Sequence, residues 1–123
     1  RFETEPTGPL AYGMQRQASA TFWKSSLVME VVPPASAPRS AGGEASLERD
    51  LVVYARFPEE SLWLDGWALG AEEYLAGRPA AIRAPLGRGQ VVLIGFTPDT
   101  RAQSRNAFKL LFNPLFASTA TTN

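Results

Sequence analysis

The sequence predicts an α/β or α+β domain: a β-sheet of at least four strands with an amphipathic helix at its C-terminal end. Three observations carry this. Two apolar runs flank Leu86-Gly87-Arg88-Gly89, which reads as a Gly-rich β-hairpin over about 80–96. Leu51, Val53, Ala55 and Phe57 alternate with Val52, Tyr54 and Arg56, the pattern of a strand with one buried face. Phe108, Leu111, Phe112 and Leu115 form an apolar stripe inside a helix expected at about 101–116. The chain has 123 residues and is 45% hydrophobic, enough for one domain with a real core. The expected organisation is a single domain over 1–117, with a mobile loop at 33–46 and a frayed polar tail at 118–123.

The elements follow in order. Pro6, Gly8, Pro9 and Gly13 punctuate residues 1–13 as a loop, interrupted by the apolar patch Leu10-Ala11-Tyr12. Met14, Ala18 and Phe22 are four apart and predict a short helix over 14–22. Ser26 to Val32 reads as a strand, because Val28, Val31 and Val32 favour extended backbone. Pro33-Pro34 stops it, since proline donates no ladder bond. Pro33 to Ala45 is rich in Pro, Ala, Ser and Gly and too poor in large apolar groups to pack. After the strand 51–57, Leu62 to Gly70 is dense in aromatic and aliphatic side chains, Ala71 to Leu75 adds a helical turn, and Gly77 closes it. Val91-Val92-Leu93-Ile94 has no polar alternation and predicts a central strand covered on both faces. Gly95 leaves room for another element to approach. Thr100 and Gln103 have capping-box spacing, with Asp99 beside the positive end of the helix dipole. Pro114 should kink the last helix or restart it, because its ring clashes one turn back.

Composition excludes several function classes. The chain has no histidine and no cysteine, so it can build no Ser-His-Asp triad, no Cys-His pair and no disulfide. Zinc sites rest almost always on those two residues. Oxygen-only sites for calcium or magnesium stay open, and Asp65, Glu72 and Glu73 are the candidates for one. Twelve basic and twelve acidic residues cancel, against the basic excess that a general nucleic-acid binder needs. No apolar run approaches the roughly 20 residues that cross a bilayer. A cysteine-free chain is compatible with any compartment, a secreted or periplasmic parent included. The chain begins at Arg1 and not at Met, which reads as a fragment or a processed product.

Gly87-Arg88-Gly89 leads into a strand, not a helix, so it reads as a turn and not a phosphate loop. Glu59-Glu60 and Glu72-Glu73 are neighbours in sequence only and read as solvated charge, since adjacent side chains diverge on strand and helix alike. Trp63, Trp67 and Tyr74 are either buried anchors or an exposed stacking surface; the interleaved Leu62, Leu64 and Leu69 favour burial. The polar segment Thr97 to Arg105 sits where a buried strand hands over to a helix, the usual address of ligand sites in α/β sheets. Its candidate anion-binding residues are Asp99, Arg101, Gln103 and Arg105, with Trp67 as a wall; the alternative is capping plus surface ion pairs.

The runs Trp67-Ala68-Leu69-Gly70-Ala71-Glu72-Glu73, Ala76-Gly77-Arg78-Pro79, Leu86-Gly87-Arg88-Gly89-Gln90-Val91-Val92-Leu93-Ile94-Gly95-Phe96, Arg101-Ala102-Gln103-Ser104 and Phe108-Lys109-Leu110-Leu111-Phe112-Asn113 resemble the C-terminal region of large bacterial zinc carboxypeptidase-like proteins of the carboxypeptidase A type. Pro9-Leu10-Ala11-Tyr12-Gly13-Met14 resembles the same region, and the likeness covers about two thirds of the chain. The resemblance implies a class I glutamine amidotransferase-like domain appended to a peptidase, here as a partial sheet lacking its first strands. It implies a non-catalytic accessory role: packing on the peptidase domain of the parent, pairing as a homodimer across an exposed sheet edge, or positioning substrate. The family's zinc triad, a His-x-x-Glu pair plus a distant His, has no counterpart here, nor have the amidotransferase Cys and His. No catalytic residue transfers to this chain; no cofactor is expected in it, and zinc is expected only in the peptidase domain of the parent. Pro114 stands where the family pattern implies a small residue. A ligand- or anion-binding module with no attached peptidase is the alternative reading.

Overall fold

A computed structural model describes residues 1–5, 8–22, 27–32 and 51–120. Within them the fold is α+β: an open antiparallel sheet followed by a C-terminal helix. The strands are β1 (Phe2–Thr4), β2 (Gln17–Ala18), β3 (Val52–Arg56), β4 (Pro79–Leu86) and β5 (Gly89–Ile94), in the order β2-β1-β3-β4-β5. Helix α1 covers Ala71–Leu75 and helix α2 covers Phe108–Ala120. Short 3-10 turns occupy Pro9–Ala11, Thr100–Ala102 and Arg105–Ala107.

The β4–β5 hairpin stands as the glycines predict. Leu86 pairs with Gly89, which leaves Gly87-Arg88 as a two-residue turn. Gly87 has φ 58°, where a side chain would be strained. β5, however, is not covered on both faces. Among the described residues it is the last strand of the sheet, and Leu93 is exposed. Its apolar run reflects two half-covered faces, not a central position.

Two other expectations are corrected. Residues 14–22 do not form a helix; Gln17–Ala18 is a strand on β1. Thr4 takes over the segment, donating its N–H to Arg16 O at 2.8 Å and its hydroxyl to Gln15 O at 2.9 Å. Met14 and Ala18 are still buried, so the four-residue spacing marked core contacts made from an extended chain. Residues 27–32 are not a strand either. Leu27 donates one bond to Gly95 O at 3.1 Å, while Leu27, Val28, Val31 and Val32 stay exposed. β-Branched side chains without a partner to pack on do not make a strand. Gly95 does what its missing side chain allows: a Cβ there would lie 3.0 Å from Leu27 O. The expected loop at 33–46 lies outside the described residues.

β3 carries the irregularity that organises the helix side. Val53 pairs with Ile82 and Ala55 with Ala81, so Tyr54 is an extra residue; Arg56 then pairs with Pro79, which restores the register. Strict alternation would expose Tyr54 where Ala55 is buried. The bulge buries both.

Helix α2 begins later than predicted. Arg101, Ala102 and Ser104 have φ of 53°, 55° and 52°, so the backbone cannot enter α-helix until Phe108. Thr100 and Gln103 bracket a 3-10 turn, with Gln103 N–H donating to the Thr100 carbonyl at 3.0 Å, and not the first turn of α2, so the capping-box reading fails. Thr100 Oγ1 instead donates to Thr97 O at 3.0 Å. The helix then runs through Pro114 to Ala120, three residues into the expected frayed tail. Ser118 and Thr119 bond back to Leu115 O and Phe116 O, at 2.7 and 2.8 Å. Residues 121–123 lie outside the described residues.

Pro114 is accommodated by a substitute donor. Its nitrogen has no hydrogen for the carbonyl one turn back, that of Leu110. Tyr54 Oη donates to Leu110 O at 3.2 Å. Asn113 Nδ2 reaches Leu10 O and Tyr12 O at 3.1 and 3.0 Å, and Lys109 Nζ donates to Gly13 O. The buried side of α2 (Leu110, Pro114), with Ala107 just before it, is thereby fastened to the Leu10-Ala11 patch. Elsewhere the core centres on Phe2, Phe22, Phe57 and Phe96, whose ring centroids lie 5.3–6.4 Å apart.

Candidate functional site

A cleft of about 910 Å³ opens beside the aromatic segment 62–70. Phe57 forms part of its inner wall and is buried; Phe22 packs on it with ring centroids 5.9 Å apart. Trp63, Trp67 and Tyr74 line the outer part, 39%, 96% and 58% exposed. The expectation that these rings are buried anchors is therefore overturned for all three, Trp63 being the least exposed of them. The reason is the backbone of 62–70, which forms neither helix nor strand. Gly66 and Gly70 take φ of 89° and 74°, and the turn is held locally by Gly66 N–H donating to Asp65 Oδ1 at 2.7 Å. Leu62 is buried and anchors the start of the segment; Leu75 anchors the end of α1.

A knot of hydroxyls lines the same cleft. Thr21 Oγ1 and Ser104 Oγ lie 2.7 Å apart, and Ser19 Oγ donates to Ser104 Oγ at 3.4 Å. Ser104 sits in left-handed backbone, φ 52° and ψ 53°, at the handover from β5 to α2. A non-glycine residue there costs about 1 kcal/mol. Arg1 Nε is a buried nitrogen with no partner among the described residues, and Arg1 lines the cleft opposite in charge to Asp65.

The site residues expected from sequence divide. Trp67 and Gln103 meet in the cleft. Asp99, Arg101 and Arg105 do not line it; all three are exposed. The two 3-10 turns at Thr100–Ala102 and Arg105–Ala107 spread these side chains along the surface instead of converging them. Asp65, Glu72 and Glu73, weighed as oxygen ligands, form no group that could hold an ion, among the described residues. Sequence reasoning missed Ser19, Thr21 and Arg1, and reached Ser104 only as part of the polar segment Thr97 to Arg105. Small hydroxyls 83 and 85 residues apart carry no local signal of meeting.

A second feature lies on α2. Leu111, Phe112, Leu115 and Phe116 are all exposed, as two columns spaced four apart on its outer side. None of them lines the cleft. The helix has no charged residue after Lys109. No helix among the described residues is long and apolar enough to cross a membrane. Compared with protein-family models, with curated proteins and with solved structures, the chain finds no match in any of the three.

Proposed function

We propose that this chain is a non-catalytic accessory domain that docks on the peptidase domain of a zinc carboxypeptidase-like parent. The observation that carries the docking role is the outer side of α2. Four large apolar side chains on one uncharged helix face form a contiguous patch of the kind that marks a protein contact. Lys109, Asn113 and Tyr54 hold the inner side, so the patch is presented with little ordering left to do on contact. The parent's identity is supported by the motif runs between Trp67 and Asn113 and by the lack of any histidine or cysteine in the chain. Zinc belongs, in this reading, to the peptidase domain and not to these residues.

The full-length coding sequence tests the parentage: it should encode a His-x-x-Glu pair and a later His. Hydrogen exchange tests the docking. Amides of 108–116 should exchange more slowly in the full-length protein than in this chain alone, and L115S/F116S should remove the difference. Equal exchange in both forms would refute the contact. A second copy of the chain is the other occupant of the patch, and sedimentation of this chain alone as a dimer would assign it to the homodimer.

A further inference from the structure

We infer that the cleft between the 62–70 segment and Ser104 binds a neutral oligosaccharide. The chemistry of the lining selects it step by step. The cleft's volume of about 910 Å³ lies in the range of roughly 300–1,000 Å³ that encloses small organic ligands. Trp67 and Tyr74 offer exposed ring faces, which suits a ligand with a flat apolar face and not a small inorganic ion. A pyranose ring has such a face in its axial C–H groups.

The polar lining then chooses among ligands that stack. Ser19, Thr21 and Ser104 can each donate and accept, so the bonds they now make to one another can be exchanged for bonds to ligand hydroxyls. Gln103 adds an amide with both donors and an acceptor, and Asp65 a carboxylate acceptor. That mixture matches a polyol.

Charge and backbone exclude the competitors. Among the described lining residues the cationic groups are the guanidinium and the α-amino group of Arg1, the latter donating to Leu62 O at 2.7 Å, and Asp65 is the one anion. A nucleotide, which also stacks on indole, would bring phosphates that Arg1 alone does not neutralise. A peptide strand is bound through a free sheet edge, and none of the lining residues belongs to a strand. The inference stands apart from the docking role, because the α2 patch and the cleft share no residue.

The test uses the whole chain, labelled with ¹⁵N and titrated separately with cellotriose, maltotriose, triacetylchitotriose and inorganic phosphate. At least one trisaccharide at millimolar concentration should shift a tryptophan indole N–H resonance and the Gln103 side-chain amide. Trp67→Ala should weaken that binding by about tenfold or more, and Gln103→Ala by a smaller factor. Both side chains are exposed, so neither variant should disturb the fold, and circular dichroism checks this. Phe116→Ser on the docking patch should leave the sugar affinity unchanged while weakening the docking contact. No shift with any trisaccharide overturns the inference, as does a response to phosphate alone. Sugar binding that is indifferent to both Trp67→Ala and Gln103→Ala overturns it as well.

Discussion

Replacing Tyr54 by Phe removes one oxygen, and the helix should register its loss only because residue 114 is proline. The Leu110 carbonyl is one turn before Pro114, and Pro114 has no N–H to offer it. Leu110 is fully buried, so water is a poor substitute, and Tyr54 Oη at 3.2 Å fills the vacancy. Deleting the hydroxyl leaves a buried acceptor unsatisfied, a cost of about 1–3 kcal/mol. Pro114→Ala restores the backbone donor. In that background the carbonyl already has its helical partner, and Y54F should cost well under 1 kcal/mol. The double-mutant cycle should therefore give a coupling of about 1–2 kcal/mol between two side chains that exchange no bond with each other. Urea unfolding followed by far-ultraviolet circular dichroism measures all four corners, with unchanged m-values as the check on two-state behaviour. If Y54F costs the same with proline or alanine at 114, the tyrosine is not standing in for the missing donor.

Burial raises the Tyr54 phenol above its ordinary value of 10.0. The folded state then holds a proton that the unfolded chain releases above pH 10, so stability is fully present below that value and falls as pH rises beyond it. The alkaline slope should be shallower in Y54F, read as urea midpoints across pH 9 to 11.5. Gly95→Ala would place a Cβ 3.0 Å from the Leu27 carbonyl and 3.3 Å from Met29 Cε. A loss of about 1–3 kcal/mol is expected, with faster exchange of the Leu27 amide, since backbone has to move. Ala102→Gly should reverse the usual penalty of glycine. At φ 55° the alanine is strained, so the variant should be neutral or up to about 1 kcal/mol more stable in chemical denaturation.

How legible this fold was depends on where each instruction is written. The β4–β5 hairpin is local: two apolar runs and a positive-φ glycine lie within sixteen residues, and pairing follows from Leu86 to Gly89. The helix stripe is likewise local, although its start was displaced by left-handed backbone at Arg101, Ala102 and Ser104, none of them a residue type that announces that conformation. The β2 edge was illegible for the opposite reason. β2 is two residues long and exists because Thr4, thirteen positions earlier, holds its approach. Val28, Val31 and Val32 advertise a strand that tertiary structure never supplies. At the cleft, Trp67 was found as an aromatic side chain beside Gly66, and Gln103 as an amide in the polar segment Thr97 to Arg105. Asp99, Arg101 and Arg105 stood out equally by composition, but a chain of 3-10 turns separates them from the cleft.

The bulge at Tyr54 and the proline at 114 explain each other, and together they bear on what the domain is for. A regular β3 would turn Tyr54 to the opposite side from Ala55; the extra residue keeps both in the interior and brings the phenol to Leu110. Only with that donor in place can α2 pass through Pro114 as one helix and extend Leu115 and Phe116 into the exposed patch begun by Leu111 and Phe112. A helix ending at Asn113 would lose the second half of each column. The patch thus depends on a defect in a strand about sixty residues away, which lies outside the patch itself. Y54F should accordingly weaken the docking contact as well as the fold, and P114A should rescue both together. If P114A restores stability in Y54F but not docking, Tyr54 shapes the core alone and the patch owes its form to something else.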